Sequence, residues 1–481
     1  MKLSALLKGV ETQSAFQDVE IERVTDKDTE ISKDSLFVCI DGNRYDGHSL
    51  AQKALKKGAA AVVTSRDLQV AGQIIVKDSR KAFALIAANY YRNPAKELKL
   101  IGITGTNGKT STTFFIKQIL EGLGVRCGII GTVQNFSGEG TENSNLTTPE
   151  PMELHRLLRQ MADNGCEYAV MEVSSQALAQ QRVHGLRFSA AALTNITGEH
   201  LDYHHSMENY INAKLTLFNQ SDFACVNIDD ENSKNVLKSI KCPVKTYSAK
   251  SNSADYTAKN IVYDKNGVNY LFVGIDCIGK INVRIPGRFT VYNSLCATSV
   301  LLGLGHSIEE ITGAAEEIST VKGRAETVPV PRSFRVMIDY AHTPDGLLNI
   351  LNCVREITRG KIITVFGCGG DRDKTKRAKM GEIAGRYSDV AVVTSDNPRT
   401  ENPLLIINDI LCGMEKSRAR LAVIENRRQA IEFALSKAKK GDTVLLAGKG
   451  HETYQIIGTE KIPFDEREVV KEYFNKNQEY V

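Results

Sequence analysis

Residues 98–113 read Leu-Lys-Leu-Ile-Gly-Ile-Thr-Gly-Thr-Asn-Gly-Lys-Thr-Ser-Thr-Thr. The apolar run from Leu98 to Ile103 predicts a buried strand. Lys109 begins a helical pattern that carries Phe114, Phe115, Ile119 and Leu120. A strand, a glycine loop and a helix N-terminus together aim backbone N–H groups and the positive end of the helix dipole at a phosphate. Gly105, Thr106, Asn107 and Gly108 form that loop. Lys109 is expected to reach the β- and γ-phosphates of a nucleotide such as ATP, and the Thr110 hydroxyl to take a place on Mg²⁺, with Ser111 in the same turn. The loop is shorter than the general P-loop pattern, since Ile103 stands where its first glycine is expected. The competing reading is a chance Gly-Lys-Thr at an ordinary strand-to-helix turn. The flanking strand and helix argue against it.

Working outward, 481 residues predict about three domains at roughly 150 residues each. A net charge of +4 is small for this length and argues against general nucleic-acid binding. No window approaches the run of about eighteen apolar residues that spans a membrane, and no signal-peptide core is visible. The ten cysteines contain no C-x-x-C pair, and Cys39, Cys296 and Cys353 sit in apolar or helical stretches. Scattered free thiols of this kind fit a reducing cytoplasm.

Residues 1–96 read as a small α/β unit: strands Leu36–Ile40 and Ala59–Thr64, a turn at Asp41–Arg44, and helices Ser49–Lys57 and Ser79–Tyr91. Residues 97–331 alternate strand and helix, as a mostly parallel sheet requires. Arg126–Gly131 is an expected strand and Gln134–Asn145 a polar stretch. Helix Met152–Asn164 precedes strand Tyr168–Val173, which places Glu172 at a strand's C-terminal edge, where ligands of such sheets bind. Four of the nine histidines lie between His184 and His205. Helix Met207–Phe218 carries Lys214 amid apolar positions, where a lysine usually snorkels. Strands follow over 251–285, and Pro286–Asn293 leads into helix Ser294–Gly303.

Residues 332–481 alternate again: strand Phe334–Ile338, helix Pro344–Thr358, strand Lys361–Phe366, helix Asp373–Tyr387, strand Val390–Thr394. In Gly367-Cys368-Gly369-Gly370-Asp371-Arg372 the third glycine of a dinucleotide fingerprint is missing, which rejects NAD. The run Arg372, Lys374, Lys376, Arg377 and Lys379 would ordinarily be a solvated helix face. Polar loops at 367–372, 395–403 and 447–452 all follow strands, which is a binding-site arrangement.

These stretches together resemble the Mur ligase family, the ATP-dependent ligases that form amide bonds in peptidoglycan synthesis. The resemblance covers nearly the whole chain. It rests on 104–110 (Thr-Gly-Thr-Asn-Gly-Lys-Thr), Glu172-Val173-Ser174-Ser175, Glu199-His200-Leu201-Asp202-Tyr203-His204, Tyr292-Asn293, Gly323-Arg324, Asp339-Tyr340-Ala341-His342-Thr343-Pro344 and Gly448-Lys449-Gly450-His451-Glu452. Phe37–His48 and Asp396-Asn397-Pro398-Arg399 are similar to the members that add meso-diaminopimelate to UDP-N-acetylmuramoyl-L-Ala-D-Glu. The resemblance implies an α/β protein of three domains: a small N-terminal UDP-sugar-binding domain, a central P-loop domain and a Rossmann-like C-terminal domain. It also implies a cytoplasmic monomer that uses ATP and Mg²⁺.

Residue by residue, it implies that Asn293, Arg324, Asp339 and His342 join the loop in contacting ATP. Thr110, Glu172, His200 and a carbamylated Lys214 (N6-carboxylysine) would serve Mg²⁺, with Lys109, Lys214 and His200 catalytic. Thr147, Thr148, Ser174, Gln180 and Arg182 would contact the muramoyl peptide. Arg372, Asn397, Arg399, Gly448 and Glu452 would bind the incoming amino acid. Two departures stand out: Lys27-Asp28-Thr29 replaces the usual Asp-Ser-Arg, and Glu199 replaces an Asp. The rival readings are an L-lysine-adding homologue, a folylpolyglutamate-synthetase-like ligase, and a P-loop regulatory ATPase with no ligase step.

Overall fold

In the computed structural model, residues 1–42 and 45–476 are described. Asn43 and Arg44, half of the turn expected at Asp41–Arg44, lie outside them. The first unit comprises α1 (Leu3–Leu6), β1 (Arg23–Thr25), β2 (Ser35–Val38), α2 (Ala51–Lys56), β3 (Ala61–Thr64), β4 (Gln73–Ile75) and α3 (Ser79–Tyr90). Its four strands form a parallel sheet in sequence order. The expected helix at Ser49 is entered through a 3₁₀ turn over Gly47–Leu50, capped by the Asp46 carboxylate.

The second unit is built on β5 (Lys99–Thr104), α4 (Lys109–Gly122), β6 (Cys127–Ile130), β7 (Gln134–Phe136), β8 (Thr141–Asn143), α5 (Pro151–Asp163), β9 (Tyr168–Glu172), α6 (Ser175–Ala179), β10 (Ala190–Leu193), α7 (Leu201–His204), α8 (Met207–Phe218), β11 (Ala224–Asn227), α9 (Ser233–Ser239), β12 (Val244–Ser248), β13 (Tyr256–Asp264), β14 (Gly267–Val273), β15 (Ile278–Val283), α10 (Arg288–Gly303) and α11 (Ile308–Ala315). The sheet order is β15-β14-β13-β12-β11-β10-β5-β9-β6-β7-β8. Strands β13 through β6 in that order run parallel, and antiparallel hairpins finish both ends. Helices cover both faces of β5 and β9, so their interiors are continuous apolar runs. On α5 the buried Leu154, Leu157, Leu158 and Met161 repeat at i, i+3, i+4, i+7, the stripe of a helix packed on a sheet.

Two expectations are corrected here. The polar stretch Gln134–Asn145 contains β7 and β8, which close the sheet's edge. Their burial is too shallow to leave an apolar alternation in the sequence. The lead-in Pro286–Asn293 is helical from Arg288, because Gly287 (φ +105°) makes the turn and puts Tyr292 and Asn293 inside α10.

The third unit holds β16 (Glu326–Val328), β17 (Arg335–Asp339), α12 (Pro344–Ile357), β18 (Ile362–Phe366), α13 (Thr375–Tyr387), β19 (Val390–Val393), α14 (Pro403–Leu411), β20 (Arg420–Val423), α15 (Arg427–Lys437), β21 (Thr443–Ala447), the hairpin β22 (Tyr454–Ile457) and β23 (Glu460–Pro463), and α16 (Glu466–Lys476). Its sheet runs β16-β17-β21-β18-β19-β20 and is parallel apart from β16. All ten cysteines are free, and Cys412 alone is exposed. No helix among the described residues is long and apolar enough to cross a membrane.

Candidate active site

Strand β5 delivers its loop between two parallel neighbours, with Ile103 paired to Glu172 and Thr104 to Leu193. That register puts the Glu172 carboxylate beside the start of α4. Gly105 (φ +143°) is required by space as well as by backbone, since a Cβ there would lie 1.9 Å from Thr194 Oγ1. Lys109 folds back, its Nζ donating to the carbonyls of Gly105 and Thr106 at 2.8 Å each. Lys214 Nζ donates to the same Gly105 oxygen at 2.9 Å and lies 4.4 Å from the centre of the Tyr210 ring. Two lysine nitrogens thus share one carbonyl. Lys214 is 2% exposed, so it does not snorkel as its apolar helix predicted. Burial, and then the charge of Lys109, hold its pKa well below the ordinary lysine value.

Glu172, 1% exposed, accepts from Thr110 Oγ1 (2.9 Å), Thr132 Oγ1 (3.0 Å) and Thr132 N–H (2.7 Å). Arg324 crosses from the far side to donate to Thr110 Oγ1 (2.9 Å) and stacks over the Tyr340 ring at 4.6 Å. Asp339 accepts from the Ala325 and Ala341 N–H groups, which fixes the two segments flanking it. His342 Nε2 approaches Glu199 Oε1 at 3.3 Å, with His200 on the other carboxylate oxygen at 3.9 Å. Burial alone would raise the Glu199 carboxyl. The hydrogen bond and charge of His342, helped by His200 and Lys109, instead hold it far below the usual carboxylate range.

The loop, Glu172, Glu199, His200, Asn293, Arg324, Asp339 and His342 line one cavity of about 250 Å³. A second cavity of about 610 Å³ continues from it past Asn195, Asp229, Arg288 and Tyr292. Both are bordered by Asn107, Gly108, Phe289, Asn293 and Asn349. The first sets Lys109 and Arg324 against the carboxylates of Glu172, Glu199 and Asp339, and the second mixes carboxamides and rings with charged side chains of both signs. Lys214 is not on either wall; it sits behind the loop. Of the four clustered histidines, only His200 faces the cavity. His204 is turned inward to Ser175 Oγ (2.9 Å).

The residues expected to meet a muramoyl peptide are linked in series. Thr147 Oγ1 contacts Thr132 Oγ1 at 3.0 Å, and Thr148 Oγ1 donates to the Glu172 carbonyl at 2.8 Å. Ser174 N–H donates to Thr148 Oγ1, and Arg182 donates to the Thr148 carbonyl and to Gln180 Oε1. This chain of bonds abuts the buried carboxylate of Glu172, and Thr147 also lines the first cavity.

The expected amino-acid set gathers at the C-terminal ends of β18, β19 and β21. Asn397 Nδ2 donates to Glu452 Oε2 (2.9 Å). Buried Lys449 donates to both Asn397 Oδ1 (3.0 Å) and Glu452 Oε2 (2.9 Å). Gly448 (φ +115°) brings its backbone close to Asp396, whose Oδ2 would lie 2.8 Å from a Cβ there. Arg399 donates to the Gly370 carbonyl (2.8 Å). Arg372 is near enough that burial and the Arg399 charge both lower its pKa. Its neighbour Arg377 is not solvated as expected. It is 1% exposed and donates to Glu401 and Asp409, so the basic run is split between surface and core. The sequence reading missed Thr132, Lys449 and the buried pair Arg427–Glu466 (2.8 Å) that supports this loop. Lys449 lies inside a quoted motif, whereas Arg427 and Glu466 carry no local signal.

Three family descriptions match in order along the chain: "Mur ligase family, catalytic domain" over 20–98, "Mur ligase middle domain" over 103–301, and "Mur ligase, glutamate ligase domain" over 323–450. The chain belongs to the Mur ligase family. Among similar Mur ligases, a UDP-N-acetylmuramoyl-L-alanyl-D-glutamate--2,6-diaminopimelate ligase of Caldanaerobacter subterraneus is 46% identical, covering 99% of this chain and all of that one. Another, of Clostridium botulinum, is 44% identical over 98% of this chain and 99% of its own length. A solved structure of a ligase of the same name aligns with a TM-score of 0.70 at 28% identity, covering 99% of both chains.

Proposed function

We propose that this Mur ligase joins meso-2,6-diaminopimelate to the D-glutamyl γ-carboxylate of UDP-N-acetylmuramoyl-L-Ala-D-Glu at the expense of ATP, a step in peptidoglycan precursor synthesis. The observation that carries the reading is a phosphate loop and a buried carboxylate lining one cavity, with three strand-end loops hydrogen-bonded to one another in the third unit, in a chain 44–46% identical along its length to ligases of that name. In this reading residues 1–96 hold the UDP-sugar, 97–331 the ATP and 332–481 the amino acid, and the chain acts as a monomer in the cytoplasm.

The substrate γ-carboxylate attacks the γ-phosphorus of ATP, giving an acyl phosphate and ADP. The amine then adds to the acyl carbon and phosphate leaves. In-line phosphoryl transfer depends chiefly on positioning and charge neutralisation. Gly105–Ser111 N–H groups and Lys109 hold the triphosphate, and Arg324, Asn293, Asp339 and His342 bound the nucleotide. For Lys109 to reach a phosphate it must leave its two carbonyl acceptors, which only a stronger anionic partner favours.

The Thr110 hydroxyl and buried Glu172, with His200 nearby, are hard oxygen and nitrogen donors that fit Mg²⁺. That ion would neutralise charge on the phosphates. Lys214, whose burial and neighbouring Lys109 charge both favour the neutral amine, is suited to attack CO₂, forming an N–C bond and releasing a proton to give a carbamate. A lysine at its ordinary pKa near ~10.4 is almost wholly protonated and cannot do so. Thr147, Thr148, Ser174, Gln180 and Arg182 orient the muramoyl peptide. Asn397, Gly448 and Glu452 hold the reacting end of the amino acid. Arg372 and Arg399 receive its second carboxylate, a feature L-lysine lacks.

ADP release with the UDP-muramoyl dipeptide decides the matter, comparing meso-diaminopimelate, L-lysine and no amine. Turnover only with diaminopimelate is expected. Equal turnover with lysine, or ATP hydrolysis independent of the dipeptide, would overturn the reading.

A further inference from the structure

The third sheet places its substrate loops at the C-terminal ends of its strands. A cleft of about 440 Å³ opens at the other end, where β18, β19 and β20 begin, and Arg355 is the one residue it shares with the second cavity. Strands of four or five residues separate the two edges by roughly 13–16 Å. Arg355, Lys361, Arg386, Arg418 and Arg420 line the cleft, and Asp389 is its one carboxylate. That carboxylate is already engaged, its Oδ2 accepting from Arg355 (2.7 Å) and from the Ile362 N–H (2.8 Å).

Ordinary structural roles account for two of the five cations. Arg355 and Arg386 lie in the last turns of α12 and α13, where a positive charge complements the helix dipole. They do not account for the others. Lys361 and Arg420 stand at or just before strand starts, and Arg418 lies in the connection before β20. Among the described residues, none of these three side chains makes a hydrogen bond or ion pair. Like charges gathered around a concavity repel one another, and low-dielectric walls strengthen the field inside it. Guanidinium forks facing one cleft suit the oxygens of phosphate. The volume falls within the range of small-molecule sites.

We infer that this cleft binds a multiply charged phosphate group, as a second anion site at the opposite edge of the third sheet from the amino-acid loops. Arg418, Arg420 and Lys361 supply the charge, Arg355 and Arg386 flank it, and Asp389 fixes the orientation of Arg355. The same chemistry is offered by a soluble diphosphate and by an anionic lipid headgroup.

The full-length protein, with its nucleotide site filled by excess ADP and Mg²⁺, is tested in two arms at low salt. One is equilibrium dialysis against labelled inorganic pyrophosphate. The other is co-sedimentation with phosphatidylglycerol vesicles, using phosphatidylcholine vesicles as the reference. Saturable binding of one pyrophosphate per chain beyond the nucleotide site, or retention by phosphatidylglycerol alone, is expected, and the positive arm identifies the source. The double variant R418A/R420A should bind at least about tenfold more weakly, since two charge-assisted contacts are removed. Its ligase turnover should be unchanged. Absence of binding in both arms, or equal binding by the variant, would overturn the inference.

Discussion

Lys214 shows how far a residue's meaning depends on what surrounds it. From helix periodicity alone it is an ordinary amphipathic lysine; in the structure it is sealed against Tyr210 and shares a carbonyl with Lys109. Lys214→Ala should reduce ligation to near zero, and short carboxylic acids should restore part of it by standing in for the carbamate. A fully active alanine variant would remove that group from the mechanism. For Arg399→Ala, loss of a charge-assisted contact predicts a rise in the diaminopimelate KM of roughly 10²-fold with the ATP KM little changed. The residue types at 172, 200, 397 and 399 were legible because they sit in short quoted motifs. The supports beneath them were not. Lys449 draws its role from Asn397, 52 positions away, and Arg427 pairs with Glu466 across 39. No local pattern encodes such partners.

At the level of elements, the phosphate loop and its flanking strand and helix emerged within a residue of expectation, because period, glycine and length all agree there. Strands β7 and β8 did not, because three-residue edge strands with little burial leave no periodic trace. Gly105 makes a sharper test of the loop than its neighbours do. Gly105→Ala forces a Cβ onto the Thr194 hydroxyl, so calorimetric titration with ADP should show affinity lowered at least about tenfold, with far-UV circular dichroism preserved.

Helix α5 carries a different consequence. His155 is 1% exposed, neither ring nitrogen has a hydrogen-bond partner, and burial pushes its pKa down to about 4. The unfolded chain, with the ordinary value near ~6.5, binds the proton first. The stability contributed by a neutral His155 is therefore complete above ~6.5 and lost as pH falls toward ~4, by about 3 kcal/mol in all. Urea unfolding across this range should show that loss, and His155→Leu should flatten it relative to the parent.

For the molecule as a whole, the second and third units meet across the nucleotide cavity. Asp345 in the first turn of α12 accepts from Asn107 of the phosphate loop (2.8 Å), Arg324 reaches Thr110, and His342 faces Glu199. Each contact ends on a residue that lines that cavity, so a closure of the two units would assemble the site in the same movement. Asp345→Ala should lower kcat roughly tenfold while ATP affinity in a binary titration changes little. Comparable kcat in steady-state assays would separate this contact from closure. Three α/β units were readable from alternation of strand and helix. Which loops would face one another across them was not, because that depends on packing between segments from 143 to 238 residues apart.

The thiol inventory gives these motions a built-in handle. Burial pushes the thiols of Cys39, Cys296, Cys353 and Cys368 up to about 12, which keeps them unreactive near neutral pH. Cys412, at the end of α14, is the one exposed cysteine, Cys242 and Cys277 being half-buried with thiols that burial also pushes up. A maleimide dye therefore attaches preferentially to the third unit of the unmutated protein. It turns a residue with no part in the chemistry into a reporter of any movement of that unit.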